Sequence, residues 1–266
     1  MTSLTQKVAQ RKIIRSRVIQ RALPAFYQLG MWRVQYLQSI CCVCHSNPAV
    51  VQKEGLNGKR SFFSSIICQA CHESVSWRPE LLQHLIPIEA SDSVNSQLAS
   101  PLTFQIQAAA PHLSYIRAAI IAFKYKEQVD ALPVLVHAIR QLPRPKGCHA
   151  TNSVIVPTPT TSNRLKKRGY DPVSVLAYYL SKHWQIPLWH GISRIDDAVS
   201  QQGLARNERQ ANISHAFNMN TPPPVKRLLL FDDVVTTGTT LVAIAKIITQ
   251  TSPDTKIRAY CVSHGK

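Results

Sequence analysis

Along the second half of the chain the apolar positions switch repeatedly between two rhythms. In "LSYIRAAIIAFKYK" Leu113, Ile116, Ile120 and Phe123 recur at helical spacing, which predicts a helix with one buried face. "SVIVPTP", Ser153 to Pro159, is a short β-branched run closed by prolines and reads as a buried strand. "DPVSVLAYYLSKHW" returns to the helical rhythm, with Val173, Leu176, Ala177 and Leu180 on one face. Asp171 suits its N-cap and Pro172 its first position. "RLLLF" predicts a second buried strand ending at a pair of aspartates, and "TLVAIAKIIT" a helix with Leu241, Ile244, Ala245 and Ile248 inward. "KIRAYCVSH" predicts a third strand. Strands alternating with helices imply an α/β fold, a parallel sheet flanked by helices on both sides. No internal repeat interrupts the pattern.

The first half is organised differently. Residues 1–37 form a basic arm, with Val8, Ile13, Ile14, Val18 and Ile19 set among charges and Pro24 ending that pattern. It reads as a surface helix, or as an Arg-rich targeting segment without acidic residues. Residues 38–78 hold most of the cysteines, and 79–101, rich in Ser and Pro towards its end, reads as a connector to the α/β domain, 102–266.

Charge narrows the partners. Lys and Arg outnumber Asp and Glu by 31 to 14, a net +17. Nucleic acid, an anionic membrane surface and phosphorylated ligands are the classes such an excess fits. Insertion into a membrane is not expected, since no apolar run approaches the roughly 20 residues a spanning helix needs.

Cys41-x-x-Cys44 and Cys68-x-x-Cys71 form two knuckles, and two thiolates on each tight turn complete a tetrahedral set for zinc. "EGLNGKR" between them reads as a hairpin tip that brings the pairs together. A closed four-thiolate site leaves no open position, so its zinc would be structural. Free thiols or a redox pair are the other readings. Cys42, His45 and His72 break the two-plus-two pattern. Lys53, Lys59 and Arg60 lie between the knuckles and could reach phosphate.

"LLLFDDVVTTGTT", Leu228 to Thr240, predicts strand, loop and helix. Amides at the helix start favour an anion, Gly238 allows close backbone approach, and Thr236, Thr237, Thr239 and Thr240 add hydroxyl donors. Asp232 and Asp233 would repel a phosphate, so they must face sugar hydroxyls or a hydrated Mg²⁺. Phosphate on one side and hydroxyls on the other describe a ribose 5-phosphate. A plain strand-to-helix turn is the simpler alternative. Neither G-x-x-x-x-G-K-[ST] nor G-x-G-x-x-G occurs.

This stretch resembles the phosphoribosyl pyrophosphate (PRPP) signature of type I phosphoribosyltransferases. "IIAFKYK", "VIVPTP", "RLKKRGY" and "SQQGLARNERQANISHAF", with the paired knuckles, resemble the ComF family of competence proteins and its relative GntX. The resemblance runs over about residues 38–264. One departure is Asp171-Pro172, where the family usually has Asn-Gln.

The resemblance implies a type I phosphoribosyltransferase-like fold with a small N-terminal zinc-ribbon module. It implies that Asp232, Asp233, Val234, Val235, Thr236, Thr237, Gly238, Thr239 and Thr240 hold PRPP with Mg²⁺. Arg164, Lys166, Lys167 and Arg168, in the loop after "VIVPTP", would lie where the pyrophosphate binds. Arg206 and Arg209 would sit in a closing loop, or on a solvated helix face. It further implies a cytoplasmic protein of natural transformation that handles incoming single-stranded DNA beside other DNA-uptake proteins. A phosphoribosyltransferase acting on a free base in salvage, or a zinc-ribbon adaptor that senses a ribose phosphate, remains open. No catalytic residue is assigned.

Overall fold

The computed structural model of the chain describes residues 25–37, 40–54, 60–64, 66–78, 82–86, 102–195 and 216–265. The tip of the inter-knuckle segment, the first 24 residues and the segment carrying Arg206 and Arg209 lie outside the described residues.

Among the described residues five strands make the central sheet: β3 (Leu82–Ile86), β4 (Leu102–Pro111), β5 (Ser153–Pro157), β8 (Arg227–Val235) and β9 (Lys256–His264), in the order β3-β4-β9-β8-β5. β4, β9, β8 and β5 run parallel, and β3 pairs antiparallel at the edge. The helices between them are α3 (Ser114–Tyr125), α4 (Leu132–Ile139), α5 (Ser162–Arg168), α6 (Pro172–Trp184) and α7 (Thr239–Thr251). Two short strands, β6 (Ile192–Arg194) and β7 (Phe217–Met219), pair separately. The predicted parallel sheet with helices on both sides is what the chain forms.

The two faces of the sheet explain why the central strands read as unbroken apolar runs. Ile155, Leu229 and Phe231 point into a core shared with Ile116, Ile120 and Phe123 of α3 and Leu176 and Leu180 of α6. Val154, Val156, Leu228 and Leu230 point the other way, onto Leu241, Ile244 and Ile248 of α7. A strand buried on both faces has no polar side to alternate with.

The N-terminal elements are α1 (Ala25–Leu37), a β1–β2 hairpin (Val50–Glu54 and Arg60–Ser64) and a one-turn helix α2 (Gln69–Glu73). They pack onto the first core rather than standing apart. Tyr27, Met31, Cys41, Ile66, Ile67 and Cys68 are buried in the same cluster as the α3 and α4 residues.

Three sequence expectations change in detail, and one strand has no counterpart among them. The stretch read as a connector contains the edge strand β3. β4 was not anticipated, because "LTFQIQAAAP" carries three alanines where a strand usually shows β-branched residues. Leu113 does not join the α3 face: it is the extended N-cap residue and is 65% exposed. The basic loop after "VIVPTP" is largely helix, since Thr161 caps α5 by accepting from the Arg164 amide and Gly169, at φ 72°, ends it.

Candidate ribose-phosphate pocket and cysteine cluster

The C-terminal ends of β4, β5, β8 and β9 lie at one edge of the sheet, where ligands bind in open α/β folds. β8 runs on through both aspartates to Val235, then breaks. Gly238 adopts φ 74°, a conformation that costs a residue with a side chain, and α7 starts there with no side-chain cap. The first-turn amides of α7 are therefore left to a ligand or water. Thr236 and Thr237 are exposed beside them, and the Thr237 and Thr239 hydroxyls are 2.7 Å apart. This is an anion cradle of amides and hydroxyls.

The two aspartates have different surroundings. Asp233 is 2% exposed. Its Oδ1 accepts the Val234 amide and the Lys124 ammonium, at 2.8 and 2.9 Å. Its Oδ2 is buried with no partner of hydrogen-bonding geometry among the described residues, although Lys124 Nζ lies 2.6 Å away. Both carboxylate oxygens of Asp233 thus lie within ion-pair distance of Lys124. Asp232 is half-buried. It accepts the Asp233 amide at 2.8 Å and a hydrogen bond from Thr158. Burial, then the charge of Asp233, pushes its carboxyl up to about 8, against the pull of Lys124.

Three neighbours were not assigned roles from the sequence. Lys124 lies within "IIAFKYK", and nothing in a lone lysine of an amphipathic helix marks it as the partner of a distant acid. Thr158 is positioned by its amide, which donates to Phe231 O at 2.9 Å and continues the β5–β8 ladder. His112 follows β4, with Nδ1 2.8 Å from Ser263 Oγ. Burial, then Arg117, holds its imidazole below the usual value.

Lys124 also links the acid pair to the basic helix α5. Its neighbour Tyr125 carries the Arg168 guanidinium over its ring at 5.2 Å, and the Tyr170 hydroxyl donates to Phe123 O, pinning α3 to the segment after α5. Arg164, Lys166 and Lys167 are exposed on α5, and Arg168 is half-buried.

The second cluster is made of four thiols. The ligand atoms of Cys41, Cys44, Cys68 and Cys71 all lie within 4.8 Å of one another. A tetrahedron with Zn–S of about 2.3 Å separates its sulfurs by about 3.8 Å. Cys44 and Cys68 sulfurs are 3.8 Å apart. Amides of Ser46 and Asn47 pull the Cys44 thiol down to about 6, which favours the thiolate a metal needs. These four thiols could hold a metal such as zinc. Cys42 is outside the cluster, and His72 Nδ1 instead lies 3.1 Å from His137 Nε2. Among the described residues no helix is long and apolar enough to cross a membrane.

No protein-family model matches the chain. A stretch of 98 residues is 35% identical to Competence protein F of Haemophilus influenzae, covering 35% of this chain and 43% of that protein. Another relative is DNA utilization protein YhgH of Salmonella typhi, 30% identical over 110 residues, 41% of this chain and 48% of that protein. The chain thus matches less than half the length of each. These curated homologues are the kind that the resemblance to the ComF family leads one to expect. A similar solved structure is the Helicobacter pylori Xanthine-Guanine-Hypoxanthine Phosphoribosyltransferase, at 20% identity over 52% of this chain and 74% of that one. The TM-score of 0.29 is too low for that likeness to carry an argument.

Proposed function

We propose that this chain is a DNA-uptake protein of the cytoplasm that binds single-stranded DNA and holds PRPP with Mg²⁺ at the end of β8. The observation that carries the ligand is the uncapped, threonine-rich start of α7, which directly follows the carboxylate pair at the end of β8. Asp232 and Asp233 accept the ribose hydroxyls. The Thr236–Thr240 segment donates amides and hydroxyls to the 5-phosphate. Arg164, Lys166, Lys167 and Arg168 lie towards the pyrophosphate, with Arg206 and Arg209 as further phosphate contacts. Bound with Mg²⁺, such a ligand supplies an anomeric carbon carrying a pyrophosphate leaving group. The net +17 and the relatives named for competence and DNA utilization support the DNA half of the reading. The zinc module, residues 38–78, is structural in this reading, and residues 102–266 hold the pocket.

Calorimetric titration of the full chain with PRPP and Mg²⁺ tests the pocket. Binding by the native chain, lost in the Asp232→Asn, Asp233→Asn double variant, is the expected result. Equal binding by both chains overturns the assignment. Filter binding of a single strand over a salt series tests the DNA half. Each phosphate contact is expected to contribute about −0.7 to the slope of log K against log salt. Absence of binding at low salt overturns that half.

A further inference from the structure

We infer that Tyr125, with Arg168 stacked on it, is a base-stacking step for a single-stranded nucleic acid whose backbone follows the exposed side of α5. The site rests on the DNA-binding half of the proposed function and names its contact. Tyr125 is the last residue of α3 and is 65% exposed, whereas Phe123, two residues earlier, is buried at 1%. A large aromatic left open beside a well-packed one needs a reason beyond packing. A cation lies on the ring: the Arg168 guanidinium is 5.2 Å from its centroid, while Lys124 Nζ, at 6.0 Å, is engaged by Asp233.

The position is tied to the core through Tyr170. Tyr170 donates to Phe123 O, and its ring lies 5.3 Å from that of Phe123. The end of α3 and the end of α5 are thereby fixed to each other, which keeps Arg168 over Tyr125. Around the ring, Lys124–Glu127 and Ser162–Gly169 together carry six basic residues and one acid, Glu127. Leu165, on α5 between these cations, is 40% exposed. An open ring, a stacked guanidinium and a phosphate-attracting helix are the parts from which sequence-tolerant single-strand sites are built. A duplex keeps its bases stacked inside and cannot use the ring. An acidic protein would need the charge but not the ring.

The test uses the full chain, fluorescence anisotropy at low salt, an oligo-dT strand and an abasic strand of equal length. The native chain is expected to prefer oligo-dT. Tyr125→Leu is expected to weaken oligo-dT by about 5- to 150-fold per stacked base. The same change leaves the abasic strand nearly untouched, so the preference collapses. Tyr125→Phe keeps the π-face and retains the preference. An unchanged preference in Tyr125→Leu, with oligo-dT still bound by the native chain, overturns this site while leaving DNA binding intact. Equal loss on both strands assigns Tyr125 a structural role and also overturns it. No binding of either strand by the native chain removes the DNA reading itself. Equal affinity for duplex argues against stacking and counts against the proposal.

Discussion

Lys124 is the residue on which the acid pair depends. Its side chain is 24% exposed and that of its partner Asp233 only 3%, so Lys124→Met would strand a buried carboxylate. Removing one partner of a fully buried pair costs about 3–5 kcal/mol, and the partial exposure of Lys124 lowers the expected loss to about 2 kcal/mol. Urea denaturation measures it, and adding Asp233→Asn should recover part of the loss, because no charge is then left unpaired. Asp232 makes a second expectation, in pH. Its folded value of about 8 lies above an unfolded value of about 3.9. Between the two, the folded chain holds more protons than the unfolded one. Stability from this group is therefore full below about pH 4 and declines as pH rises towards about 8. Ribose hydroxyls need the ionised form, so PRPP affinity should rise from about pH 6 to about pH 8 while ligand-free stability falls. Asp232→Asn should flatten the stability trend, as read from melting temperatures across that range. An unchanged slope in that variant would assign the titration elsewhere. The aspartates were legible in the sequence because a carboxylate pair beside threonines needs a chemical explanation. Lys124 and Thr158 were not, because a pairing between residues over 70 positions apart exists only after the sheet forms.

The elements that were legible are those with strong local punctuation. α6 begins at Asp171-Pro172, where the side chain of Asp171 accepts the Val173 amide at 3.1 Å and the Ser174 hydroxyl at 2.6 Å. Asp-Pro, in place of the Asn-Gln that the resemblance leads one to expect, thus keeps a capping group. Asp171→Ala is expected to destabilise the chain by about 1 kcal/mol, and Asp171→Asn by much less, since asparagine also caps. Chemical denaturation of the two variants measures the difference, and equal losses would mean that burial rather than capping sets the cost. β5, β8 and β9 were legible for a related reason: short runs rich in apolar and β-branched residues, closed by Pro, Asp or His, read as strands. β3 and β4 were not. β3 sits in a Ser- and Pro-rich setting, and the buried positions of β4 include three alanines, Ala108 in the core with α7 and Ala109 and Ala110 in the core with α3. Small residues there follow from close packing, which only the assembled sheet defines.

At the scale of the whole molecule the cysteine module is a structural dependent of the α/β domain, and the dependence runs both ways. The Cys71 carbonyl accepts the Tyr115 hydroxyl of α3 at 2.9 Å, and Cys42 donates its amide to Ile66 O at 3.1 Å, tying the two knuckles together. The Arg78 amide donates to Ala109 O of β4 at 2.7 Å. Cys41 and Cys68 are buried in the same core as α3 and α4. Metal loss should therefore not unfold a separate unit. It should expose four thiols at the edge of the main core and lower the stability of the whole chain. Structural zinc supplies about 10–16 kcal/mol in small peptide sites. Even a third of that is about 3–5 kcal/mol, which for a chain of this size corresponds to a fall of roughly 10 °C in melting temperature. The purified chain is expected to carry one metal ion per molecule by elemental analysis. A chelator should lower the calorimetric transition by that amount as one cooperative step. Cys68→Ser should reproduce the fall without chelator, whereas Cys42→Ser, outside the cluster, should keep the metal. Two separate transitions after chelation would show an autonomous module. An unchanged transition would show that the four thiols hold no structural metal.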